Sequence, residues 1–466
     1  MLRRRGSIMG ARARPCRVWA VQCWPRRPAT PRITSSLAYV GRNCITATRG
    51  GNGMKKTFDG LDLLRFLLAV YLTLYHTVYV TRYGAALPYR AWLGLGGFAT
   101  SSFFLLSGFI LAHVYLGQQP GVLRGGAKRF FINRLTNLYP VHWISLALFL
   151  TVGVAGVNPL NRFSLMTLDR QAGGFEYLDS MTTLAIIVAT VWMLQAWQPL
   201  YEAINPPSWS LSALLFFYAC FPWLAPRLLS LRRPGLAWAM LWLGYLTLPV
   251  VFAMQHWYAP ASVGFLYTNP LVRLPEFAAG ILLYGLYRER SVDWLCATPA
   301  RRAATLAFVA LSFIGGVKAL EHGGFGWQYI VHNGALLPSQ AALILVCAHV
   351  TMPAAAARLA TRLGNAALSL FAIHLPLFLI FTKLGKLLAI GMDPLQCVQQ
   401  FTACVKASRD VVPSMALYPA YLIGTVIAAV VFQERIVVPL RNALRSRLSR
   451  EPLQHRAAGP SGGQAG

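Results

Sequence analysis

The chain returns repeatedly to apolar runs long enough to cross a lipid bilayer, and this constrains its fold more than any other feature. Trp238–Phe252 and Ala416–Phe432 carry no charge at all. About twenty such residues in a helix span ~30 Å of hydrocarbon, where every backbone polar group must be satisfied within the element. Composition agrees. Hydrophobic residues make up 56% and charged residues only 12%, against about a quarter charged in a soluble domain. The expected fold is all-α: a polytopic integral membrane protein of about ten transmembrane helices. Candidate spans lie at 61–80, 97–117, 139–157, 211–231, 236–255, 271–287, 303–320, 330–350, 367–390 and 415–434.

A net charge of +29 could suggest nucleic acid, but its placement argues against that partner. The first 53 residues hold eleven Arg and no Lys, Asp or Glu. They read as a disordered basic extension, with translation expected to start at Met54. The remaining basic residues cluster between apolar runs, as topology signals do. With Lys55 and Lys56 inside, the groups at Arg124/Lys128/Arg129/Arg134, Arg227/Arg232/Arg233, Arg288/Arg290/Arg301/Arg302 and Arg358/Arg362 all fall inside too. So does a basic tail over 438–466, expected to be disordered, after a transmembrane domain at 54–437.

Leu184–Trp197 is apolar but too short to cross. Counting it as an eleventh span would invert every later basic cluster, so it is expected to be a re-entrant or interfacial piece of an external segment. The loop with Cys397 and Cys404 then lies outside, where a disulfide could form. No Cys or His spacing suits a metal, and none is expected.

Charged groups inside a span usually face a protein interior or a wet cavity. Arg65 and His76 are eleven positions apart in the first span, almost three helical turns, so they share a face roughly 16 Å apart along the axis. Imidazole can take a hydroxyl proton near neutral pH. Guanidinium binds phosphate or carbonyl groups in bidentate fashion, or it can pair with Asp62 as a topology anchor. Ser107 and Gly108 provide a small-residue seam or a narrow groove. Trp209 and Ser210 stand where the fourth span begins at its external entry, and Glu276 is spaced to pair with Arg273. His113, His142 and His349 read as packing or interface residues. A transporter or flippase for a saccharide precursor or small anion would also use a buried Arg and His on one face.

Four further signatures follow the first-span pattern: Ser102-Phe103-Phe104-Leu105-Leu106-Ser107-Gly108-Phe109, Asn133-Arg134-Leu135-Thr136-Asn137-Leu138-Tyr139-Pro140, Pro207-Ser208-Trp209-Ser210-Leu211-Ser212, and Gly364-Asn365 through His374. In this order they resemble the membrane acyltransferase-3 family, over roughly residues 58–437. These bacterial enzymes O-acylate, mostly O-acetylate, extracytoplasmic glycans. The resemblance implies a multi-pass enzyme of the bacterial inner membrane with both termini cytoplasmic. Cytoplasmic acetyl-CoA would be its acyl donor, and a saccharide or lipid-linked glycan its acceptor. It makes His76 and Arg65 catalytic, gives Arg134 and Arg65 to the donor, and leaves His374 a claim on the acceptor. The groove at Ser107 and Gly108 could also admit the donor's linear arm, and Trp209, beside Ser210, could stack on a sugar ring of the acceptor.

Two positions depart from the family pattern. Asn137 stands where a second Arg is usual, and Leu214 where a Glu is usual. A charge pair lost together would explain both, and restoring Glu at 214 alone would then be expected to destabilise the protein.

Overall fold

The computed structural model describes residues 58–81, 87–117, 121–154, 164–166, 175–177, 180–199, 204–391, 394–408, 411 and 414–449. The expectations for residues 1–53, including the start at Met54, and for 450–466 lie outside these. The helices are α1 (Asp59–Leu74), α2 (Gly96–Leu116), α3 (Gly126–Val154), α4 (Ser180–Val191), α5 (Trp209–Leu229), α6 (Pro234–Met254), α7 (Pro260–Thr268) and α8 (Pro270–Arg288). They continue as α9 (Pro299–His322), α10 (Phe325–Ile330), α11 (Leu337–Ala348), α12 (Ala354–Ala389), α13 (Pro394–Gln399), α14 (Phe401–Ala407), α15 (Tyr418–Phe432) and α16 (Val438–Leu448). A short antiparallel ribbon pairs Ser164–Met166 with Phe175–Tyr177.

The protein is an all-α, multi-pass membrane protein. Among the described residues, nine helical stretches are long and apolar enough to cross a bilayer. The tenth expected span is α8, a 19-residue helix that holds Arg273 and Glu276. Those charges make it too polar to face lipid, and it is correspondingly enclosed, with nearly every side chain from Pro270 to Gly285 buried. Its crossing with α2 is backbone on backbone. A Cβ on Gly108 would collide with the Phe277 carbonyl, and one on Gly280 with the Leu105 carbonyl. Small residues allow such close approach in membranes. This accounts for Gly108, which packs helices and does not line a donor groove.

The short apolar segment folds back as expected. At 12 residues, α4 is roughly 18 Å long, too short to cross. Its C-terminal end reaches the middle of α3, where His142 Nε2 lies 2.7 Å from the Thr190 carbonyl and Trp143 Nε1 donates to the Val191 carbonyl. Ser212 Oγ donates to the Met193 carbonyl and accepts from the Ala196 amide, while Gln195 Nε2 donates to the Ser208 carbonyl. Irregular backbone at membrane depth survives only where protein groups satisfy it in this way.

This inward fold corrects the external position expected for Trp209. The indole is 5% exposed and packs on Phe104, nine residues into α2, and on Tyr267. It sits inside the bundle rather than in an interfacial belt.

A second interruption breaks the span Phe325–Ala348 at Asn333 and Gly334, where Gly334 takes φ +111°. Arg273 bridges the gap. Its Nη1 donates to the His332 carbonyl at 3.0 Å and to Asn333 Oδ1 at 2.7 Å, and its Nη2 lies 3.2 Å from Glu276. Ser101 and Tyr245 both donate to Glu276 Oε1. The Arg273–Glu276 pair inferred from spacing is therefore real, and it also caps a broken helix.

Cys397 and Cys404 form a disulfide. Val438–Leu448 is helical where an unstructured tail was expected. Arg445 fixes it to α3 by donating to Thr136 Oγ1 and the Asn133 carbonyl.

Candidate active site

A cavity of about 200 Å³ opens among α1, α2, α3, α5, α12 and α16, a narrow space beside the roughly 300–1,000 Å³ usual for ligand sites. Arg65, Arg134, Ser107 and Ser210 line it, as do Asn137 and Leu214, the two positions that depart from the pattern. Gln433, Asn365, Tyr218 and Arg441 complete its polar wall. Leu72, Phe103, Phe104 and Leu106 make the remainder apolar. Neither Trp209 nor Gly108 faces it.

Each arginine is held differently. Arg65 Nη1 pairs with Asp62 at 3.0 Å, and Thr361 Oγ1 donates to the second carboxylate oxygen. Arg134 Nη2 donates to Tyr115 OH at 3.2 Å, and its guanidinium lies over the Tyr115 ring. Arg441 Nη1 donates to Asn137 Oδ1 at 3.3 Å.

The cavity follows α1 from Arg65 to Leu72, one helical turn short of His76. His76 lies in a π-helical turn, Tyr75–Tyr79, and is buried. Its Nδ1 lies 3.0 Å from His374 Nε2, with the ring planes 24° apart. The two residues are 298 positions apart in sequence, so their partnership could not be read from the chain.

The hydrogen bonds fix the tautomers. His374 Nδ1 is 2.8 Å from the Phe371 carbonyl, which can only accept. That nitrogen therefore carries the proton, and Nε2 offers its lone pair to the N–H of His76 Nδ1. The lone pair of His76 then sits on Nε2. In the enzymes that use this device, a second group holds a basic imidazole in one tautomer. His374, expected to touch an acceptor, is buried against His76.

Residues 58–434 match the acyltransferase domain family Acyl_transf_3. The chain belongs to that family. One curated relative, Acyltransferase MdmB of Streptomyces mycarofaciens, is 30% identical over 203 residues, covering 41% of this chain. The chain spans about half (46%) of that relative's length. No solved structure matches.

Two contributors were missed in the sequence. Gln433 and Arg441 lie in or beyond the last span, where a polar residue reads as a helix end and an Arg as a topology charge. The only available signal was the spacing of Arg441 and Arg445, which places both on one face of a helix.

Proposed function

We propose that the protein transfers an acyl group, acetyl being the commonest in its family, from cytoplasmic acetyl-CoA to a hydroxyl of an extracytoplasmic or lipid-linked saccharide. The setting is the bacterial inner membrane with both termini cytoplasmic. One observation carries the reading: a guanidinium-lined cavity enters from the basic side of the bundle and ends one turn from an imidazole whose tautomer is fixed.

Arg65 and Arg134 would bind the donor's phosphate and carbonyl groups at the wide end. The apolar inner wall suits an uncharged arm carrying the thioester towards Leu72. From there to His76 is roughly 6 Å along the helix. The His76 Nε2 lone pair takes the proton of the acceptor hydroxyl as its oxygen attacks the thioester carbonyl carbon. The tetrahedral intermediate collapses with loss of the thiolate, which recovers a proton from the imidazolium. His374 keeps the ring in the basic tautomer throughout. Ser210, on the wall shared with Ser107, would help position the acceptor.

The test is transfer in vesicles, with labelled acetyl-CoA on the basic side and a glycan acceptor on the other. The expected result is labelled ester that His76→Ala lowers ~10²–10⁴-fold and His349→Ala leaves intact. Label that crosses without forming ester would defeat the proposal in favour of transport.

A further inference from the structure

Arg441 lies seven residues beyond the family match, which ends at 434, so the match gives it no role. It stands at a neck. It lines both the inner cavity and an outer groove of about 580 Å³ that also holds Asp59, Arg358, Arg362 and Glu434. Glu434 is already engaged, accepting from Arg362 at 2.6 and 2.9 Å. Among the described residues, neither Arg134 nor Arg441 has an ion-pair partner, and the buried Nε of each has no hydrogen-bond acceptor.

Two guanidiniums without a counter-charge in a half-apolar cavity repel each other and are costly to hold. Packing nevertheless fixes them there. Arg445 ties α16 to α3 through Thr136 and Asn133, and this seats Arg441 against Asn137. The forked geometry of the guanidinium suits a multiply charged oxyanion.

We infer that Arg441 and Arg134 form a two-guanidinium clamp for the phosphate or pyrophosphate group of the acyl donor, reached through the outer groove. Arg441 supplies from α16 the cation that α3 lacks at Asn137. The inference rests on the donor being a phosphorylated thioester.

The test uses the full chain in nanodiscs of zwitterionic lipid, with calorimetric titration of coenzyme A, inorganic pyrophosphate and pantetheine. Arg441→Ala should raise the coenzyme A Kd on the order of 10- to 100-fold and leave pantetheine unchanged. Arg441→Lys, a point charge without the fork, should fall between. Asn137→Arg combined with Arg441→Ala should regain most of the affinity, which a merely structural role for Arg441 would not produce. Unchanged coenzyme A binding in Arg441→Ala would overturn the clamp, as would equal loss for pantetheine. So would competition by phosphatidylglycerol doped into the discs, which would make a lipid headgroup the occupant. Arg441-dependent binding of pyrophosphate with no binding of coenzyme A would keep the clamp and reject acetyl-CoA as donor.

Discussion

Arg273 and Arg134 both place a guanidinium within the helical bundle, but in opposite surroundings. Arg273 is fully buried, with a carboxylate 3.2 Å away and further bonds to a tyrosine, a serine, an asparagine and a backbone carbonyl. Arg134 has one phenol, no carboxylate and an open cavity in front of it. A buried cation whose partners are built in holds the fold together. One facing a void without a carboxylate leaves room for an anion. Burial alone would have ranked Arg273 first as a functional residue, and the partner inventory reverses that order.

The largest effect should come from the ion-paired cluster. Glu276→Ala leaves Arg273 buried without its counter-charge and should cost about 3–5 kcal/mol, read by thermal unfolding in detergent. Replacing both residues, Arg273→Met with Glu276→Leu, should recover part of that loss. An unshifted unfolding curve for Glu276→Ala would erase the contrast.

Arg134→Ala should do the reverse, raising the donor KM ~10- to 100-fold at an unchanged unfolding midpoint. Loss of stability instead would make Arg134 a second Arg273.

Leu214→Glu sharpens the comparison. Sequence reasoning expected destabilisation from an unpartnered charge, but Leu214 lines the same cavity as Arg134 and Arg441. A carboxylate there meets guanidiniums and competes with the donor. We expect a rise in donor KM of roughly three- to tenfold, the scale of a partly solvated ion pair, with little change in unfolding.

The smallest effect belongs to a surface pair. Arg290 Nε bonds Asp293 at 2.7 Å and holds its carboxyl below the usual range. The stabilisation is therefore present above the unfolded-state pKa and fades as pH falls through the lowered folded value. Because the pair is largely solvated, Asp293→Asn should cost no more than about 0.2–1 kcal/mol at neutral pH, and nothing in strong acid.

Much of this architecture was legible because lipid imposes simple demands. Run length gave the spans, and basic clusters showed that Leu184–Trp197 should not cross. The i, i+3 spacing paired Arg273 with Glu276, and Arg65 with Asp62. What stayed hidden were depth and long-range contact. Trp209 reads as a belt residue because nothing in its neighbourhood says that the preceding loop dips inward. His76 and His374 each stand out in the sequence, but nothing there joins them across 298 positions. Arg441 looks like a topology charge, since its meaning depends on Asn137, 304 positions away.

The crossing of α2 and α8 has a mechanical consequence. With Gly108 on the Phe277 carbonyl and Gly280 on the Leu105 carbonyl, no side chain separates the two backbones at those two points. That pair is a fixed plank behind the cavity. Any breathing that admits a bulky reactant must come from the opposite wall, where long arginine side chains, rather than backbone contact, latch α16 onto α3.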